Sequence, residues 1–162
     1  MLYTEKTKAA MKLSFEAHKD QLDKSGLPYV YHPLLVAEQV RTEDEICVAL
    51  LHDVMEDSDF TADDIRTAGM DERIVEALLL MTHDASDDYM EYVTQLAGNP
   101  LARKVKMADL RHNMDITRLD SVTEADEQRR EKYAKAYALL EQADANGTAS
   151  GSTNGNANVT PL

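Results

Sequence analysis

Only one cysteine, Cys47, occurs in the 162-residue chain, so no disulfide forms within it. Cys47 sits in an apolar run, which reads as a buried, inert thiol. Tryptophan is absent and prolines number four. No apolar stretch approaches the ~18 residues needed to cross a bilayer. The longest runs, Ile46–Leu51 and Ala77–Met81, have the length of core helix segments, so no membrane association is expected. The N-terminus, Met-Leu-Tyr-Thr-Glu-Lys, lacks the apolar region of a signal peptide. These absences together predict a cytoplasmic protein. Basic residues are also scarce: the net charge is -13. A nucleic-acid polymer is thereby excluded as partner, because its recognition needs a basic face. A small phosphorylated substrate stays open if a metal ion and a few local cations reverse the field at one site.

What is present is a 43% hydrophobic chain, enough for one domain with a real core. From Ala145 onward the sequence is uncharged and rich in Asn, Gly, Ser and Thr, with almost nothing to bury. Residues 1–144 are therefore expected to be the domain, and 145–162 a disordered low-complexity tail. Within the domain the apolar period is helical and no segment alternates like a strand. A helix is expected from Thr4 to about Lys19, then a turn at Ser25–Pro28. His32-Pro33 opens the next helix, with Pro33 at its first position. Thr42 with Glu45 reads as a capping box before a helix through Ile46–Glu56. Thr61 with Asp64 starts a short helix that Gly69 ends. Further helices are expected over Asp71–Met81, Ser86–Ala97, Asn99 to about Arg118, and Thr123 to near Asp144. The prediction is an all-α bundle of seven or eight helices, with Met81, Met90, Met107 and Met114 in its core.

Four sets of polar residues interrupt this pattern. His52-Asp53 and then Glu56-Asp57 end an apolar helix, where carboxylates oppose the helix dipole. An adjacent His and Asp offer nitrogen and oxygen to a divalent ion, a set suited to Mn, Fe or Zn. Asp109 follows Val105, Met107 and Ala108, where a carboxylate needs a partner or a metal. Asn113 lies one turn later on the same face. His32, at a helix start, is a further candidate ligand, although a lone histidine there is more often structural.

The order His … His-Asp … Asp on three separate helices resembles the HD-domain metal-dependent phosphohydrolases. The likeness extends further. Ala17-His18-Lys19-Asp20-Gln21, Lys24-Ser25-Gly26-Leu27-Pro28-Tyr29 and His32-Pro33 resemble the first signature of RelA/SpoT-type guanosine-polyphosphate hydrolase domains. Ala49–Ser58 with Thr61 is similar to the second, and Val105–Asp109 with His112-Asn113-Met114 to the third. Leu80–Asp84 and Thr123–Tyr133 resemble the small alarmone hydrolases. That resemblance implies an HD-domain bundle in which His32, His52, Asp53 and Asp109 hold one divalent ion, usually Mn²⁺, with Fe or Zn as alternatives. It implies that Glu56 and Asp57 hold or deprotonate the attacking water, and that Lys24, Ser25 and Asn113 contact a small nucleotide. The implied reaction removes the 3′-pyrophosphate of (p)ppGpp, giving GDP or GTP and pyrophosphate. Two positions depart from the family pattern. Asp23 stands where an arginine packs against the base, and Leu110 stands where long members have arginine. The same metal site acting on ppApp, NADPH or a nucleotide 2′- or 3′-phosphate is the alternative, as is a non-catalytic nucleotide-binding module. The sequence sets no oligomeric state.

Overall fold

The computed structural model describes residues 1–84, 86 and 88–151. Its helices are α1 (Glu5–His18), α2 (Tyr31–Ala37), α3 (Glu43–Leu51), α4 (Val54–Asp57), α5 (Ala62–Thr67), α6 (Glu72–Met81), α7 (Tyr89–Leu96), α8 (Pro100–Met114) and α9 (Glu124–Gly151). A 3-10 turn, η1 (Ile116–Arg118), follows α8. Among the described residues there is no strand, only one isolated bridge between Leu22 and Pro28. With the single turn of α4 set aside, eight α-helices remain, within the expected seven or eight. None is long and apolar enough to cross a membrane.

Local chemistry sets most boundaries. Thr4, Thr42 and Thr61 each close a capping box, accepting from the backbone N–H three residues on while that residue's side chain reaches back. Gly69 adopts φ +94 just past α5, a left-handed position that a residue with a Cβ rarely takes. Asn99 caps α8, and Pro100 sits in its first turn.

The core forms where α3 and α8 cross the molecule. Ile46 to Leu51 are all buried, so α3 is apolar on every side. It packs against α1, α2, α6 and α8, and α8 in turn packs against α2, α6 and α9. The helices α2, α3 and α8 are thus mutually in contact, each bringing a candidate ligand to their meeting point. Met81 and Met107 are buried; Met90 and Met114 pack against the core from its edge. Cys47 is fully buried, and burial pushes its thiol up to about 12.

Five boundaries differ from expectation; the helix expected to about Arg118 ends at Met114, and η1 covers Ile116–Arg118. The helix expected through Ile46–Glu56 is broken: α3 stops at Leu51, and Asp53 (φ -101, ψ -5) is the N-cap of the separate α4. Pro33 is the third residue of α2, not the first, because Tyr31 and His32 already donate backward to Pro28 and Tyr29. α7 begins at Tyr89, where the Asp88 side chain accepts from Met90 and Glu91; Ser86 instead donates to the Asp84 carboxylate. The boundary expected at residue 144 falls inside α9, which continues to Gly151. Once a helix is nucleated, adding residues costs little. Residues 152–162 lie outside the described residues.

Candidate metal centre and adjoining cleft

Adjacent residues on a regular helix point about 100° apart, so His52 and Asp53 would diverge more from an unbroken α3–α4. The break after Leu51 lessens that divergence and brings His52 Nε2 to 3.1 Å from Asp53 Oδ2. From α2, His32 Nε2 lies 3.2 Å from His52 Nε2 and 3.4 Å from Asp53 Oδ2. From α8, Asp109 Oδ1 lies 3.2 Å from His32 Nε2 and 3.7 Å from His52 Nε2. The ligand atoms of His32, His52 and Asp109 all fall within 4.8 Å of one another. Atoms bound about 2.0–2.2 Å from one ion, at roughly right-angled or tetrahedral spacing, lie roughly 2.8–3.6 Å apart. The observed separations, 3.1 to 3.7 Å, fall within or just beyond that span, so His32, His52 and Asp109 can converge on one divalent cation, with Asp53 Oδ2 beside them.

The surrounding hydrogen bonds orient these ligands. His52 Nδ1 is 2.7 Å from the Ala49 carbonyl, which can only accept, so Nδ1 carries a proton and Nε2 faces inward. His32 Nδ1 is 2.8 Å from His112 Nδ1. Burial, with His32 and Arg118 nearby, pulls His112 down to about 4, which leaves it neutral and able to accept that proton. The Tyr29 hydroxyl donates to Asp53 Oδ2 at 2.6 Å. Asn113 donates to Asp109 Oδ1 at 2.5 Å, and Lys106 Nζ pairs with Oδ2 of the same carboxylate at 2.9 Å.

The electrostatics favour positive charge at the meeting point. Burial would raise Asp53 and Asp109, but His52 and His32 outweigh it for Asp53, and Lys106 with the same imidazoles outweighs it for Asp109. Both carboxyls are held well below their ordinary range. Burial would likewise depress His52, yet Asp53 and Asp109 hold it well above the usual imidazole range. Both carboxylates therefore stay ionised, and their joint charge at the meeting point favours a bound cation.

A cleft of about 360 Å³ opens beside the metal ligands. Tyr29, His32 and Asn113 line it on one side; Lys24, Arg129, Arg130 and Tyr133 supply cations and an aromatic face elsewhere. Burial and the cations Arg129 and Arg118 lower the Lys24 pKa, which marks a place where positive charge is crowded. Lys24 and Asn113, both singled out from sequence, therefore line this cleft. Ser25 does not: its hydroxyl donates to the Arg118 carbonyl at 2.9 Å. Glu56 Oε1 accepts from both the backbone N–H and Nδ1 of His83, at 2.8 and 2.9 Å. Asp57 is raised by burial and by the nearby Asp53, while its own carbonyl accepts from Gln21 Nε2 at 2.7 Å.

Several members of the site escaped sequence reasoning. Sequence alone gives Arg129 and Tyr133 no role, though their i, i+4 spacing puts them on one side of α9. The roles of Tyr29 and His112 follow only from distances. Lys104 pairs with Asp144 at 2.7 Å on another part of the surface.

No family model matches the chain. Similar proteins include the guanosine-3′,5′-bis(diphosphate) 3′-pyrophosphohydrolase of Aquifex aeolicus (strain VF5), 29% identical over 148 residues, which is 82% of this chain and 20% of that protein. The chain resembles the RelA/SpoT-type hydrolases. The probable guanosine-3′,5′-bis(diphosphate) 3′-pyrophosphohydrolase of Synechocystis sp. is 29% identical over 65% of this chain and 16% of its own length. A probable GTP pyrophosphokinase of Mycobacterium leprae (strain TN) is also 29% identical, over 67% of this chain and 15% of that protein. The chain thus spans about a fifth or less of these relatives. A solved structure, described as a metazoan ortholog of SpoT that hydrolyzes ppGpp, superposes with a TM-score of 0.71 at 20% identity. The superposition covers 94% of this chain and 98% of that one, so the fold is shared end to end.

Proposed function

We propose that this chain is a metal-dependent 3′-pyrophosphohydrolase of (p)ppGpp, acting in the cytoplasm. The observation that carries the proposal is the convergence of four inward-facing donor atoms, from His32, His52, Asp53 and Asp109, beside a cation-lined cleft. The relatives named for this activity support it.

A divalent ion in this nest, Mn²⁺ in the proposal, supplies Lewis acidity and charge neutralisation for phosphate-ester hydrolysis. The protein's own groups do the rest. Lys24, Arg129 and Arg130 hold the phosphates. Asn113 stands between Asp109 and the cleft, so one amide steadies a ligand and faces the substrate. Asp57, raised by burial, takes the proton from the attacking water, with Glu56 fixed beside it by His83. The water oxygen joins the phosphorus next to the ribose 3′-oxygen, and that P–O bond breaks. The 3′-oxygen leaves as a hydroxyl with the proton that Asp57 took from the water, which restores the Asp57 carboxylate and gives GDP or GTP and pyrophosphate. Ser25 serves by latching the Asp23–Pro28 loop to η1 rather than by touching substrate.

The test is pyrophosphate release from ppGpp with added Mn²⁺, Fe²⁺ or Zn²⁺, against a His52→Ala, Asp53→Ala control. Release that the control loses is expected, strongest with Mn²⁺. Turnover confined to ppApp, NADPH or a simple 3′-phosphate moves the substrate, and no turnover of any of them despite bound metal defeats the proposal.

A further inference from the structure

The part of the cleft beside Leu22, Ile116 and Leu119 also carries Asp23 and Arg118. These two charges are held face to face by a latched loop. Asp23 Oδ1 accepts from the N–H groups of Ser25 and Leu27, at 2.8 and 3.0 Å. Gly26 takes φ +77 in the same turn, and Ser25 Oγ ties that turn to the Arg118 carbonyl. Asp23 Oδ2 makes no hydrogen bond among the described residues; Arg118 Nη1 lies 3.6 Å from it. Arg118 Nε is a buried donor without a partner. The other carboxylate of the cleft, Asp126, is spent on Thr123 and Arg129. An acceptor oxygen and the Nη1 of a guanidinium with an unpartnered Nε thus lie side by side in a cleft that Leu22, Ile116 and Leu119 also line.

Resting on the nucleotide-hydrolase reading above, we propose that Asp23 and Arg118 form a guanine-reading edge, with Arg118 donating to O6 and Asp23 Oδ2 accepting from N1–H and the 2-amino group. Leu22, Ile116 and Leu119 supply the apolar surface for the base. A carboxylate repels phosphate, so Asp23 keeps this stretch for the base and leaves the phosphates to Lys24, Arg129 and Arg130. Adenine presents an amino group where Arg118 donates and a bare ring nitrogen where Asp23 accepts, so it is rejected at both positions. Xanthine places a carbonyl against the carboxylate. Hypoxanthine keeps O6 and N1–H and loses only the 2-amino bond.

The experiment is equilibrium binding of GDP, IDP, XDP and ADP to the full chain, which needs no turnover. GDP is expected to bind tightest, IDP roughly tenfold weaker, and ADP and XDP weaker still. Asp23→Asn keeps Oδ1 for the turn and replaces one acceptor oxygen with a donor NH₂. It is expected to leave the thermal melt in place and to move preference from GDP to XDP by roughly tenfold or more. Equal binding of the four, no binding of any, or a GDP preference that survives Asp23→Asn overturns the proposal. Guanine-blind binding alongside intact release of pyrophosphate from ppGpp would defeat the base reader alone. Guanine-selective binding without release would defeat the hydrolase alone.

Discussion

The proposed metal nest and the wall of the cleft are neighbours built by opposite means. The nest draws His32 from α2, His52 from the C-cap of α3 and Asp109 from α8, and the break after α3 supplies Asp53 as its fourth donor. Its geometry is fixed by the same packing that makes the core, and each ligand is oriented by a partner: Ala49, His112, Tyr29, Asn113 and Lys106. The wall is made from a loop, a 3-10 turn and the start of α9, with side chains that are mostly half-exposed or exposed. Rigidity suits the part that must hold a cation and a reacting phosphorus, whereas recognition can rest on surface elements latched at a few points.

The largest expected break in this contrast is His52→Ala. It removes a buried donor at the centre of the nest, so both metal binding and pyrophosphate release should fall by about a thousandfold or more. Dialysis against labelled metal and a pyrophosphate assay check this. Tyr29→Phe takes away only the hydroxyl that steadies Asp53. Metal affinity should drop about 10–100-fold with the fold intact, read by metal titration and circular dichroism. On the wall, Lys24→Ala or Arg129→Ala should leave metal content unchanged. KM for ppGpp should rise roughly tenfold, with a smaller change in kcat, because these groups bind the phosphates before and during reaction alike.

Asp57 gives the subtlest separation. Its folded-state pKa is raised, so the folded chain holds that proton more readily than the unfolded one, and ionised Asp57 costs stability above its folded pKa. The cost disappears as pH falls through that pKa. Turnover runs the other way, since a general base must be ionised, and the rate should fall as pH drops through the same range. Asp57→Asn should therefore abolish turnover yet raise Tm slightly at neutral pH, as seen by a thermal melt beside the rate assay. A loss of Tm with retained activity would show Asp57 to be structural.

What the sequence displayed, and what it hid, follows the same division. Capping residues such as Thr42, Thr61 and Asp71 act over three or four positions, so their helices could be read locally. The candidate ligands His52, Asp53 and Asp109 stood out because each places polar chemistry beside an apolar run. The break between α3 and α4 was not, for nothing between Ala49 and Glu56 is a helix breaker. It shows only in the backbone, where Asp53 leaves the regular helical dihedrals. Arg129, Arg130 and Tyr133 were hidden because a charged, amphipathic helix looks the same whether its face meets solvent or a cleft. Only the packing of α9 on α8 decides which. Asp23, read as a departure from a family pattern, became informative only once Arg118 was found opposite it.

The central claim is that His32, His52, Asp53 and Asp109 together hold one divalent ion. Metal stoichiometry by equilibrium dialysis with Mn²⁺, on the full chain and on Asp109→Asn, tests it most directly. The account predicts one tightly held ion per chain in the first and its loss in the second, with helical content preserved in both. An absence of stoichiometric metal in the native chain, or binding undiminished by Asp109→Asn, would contradict it.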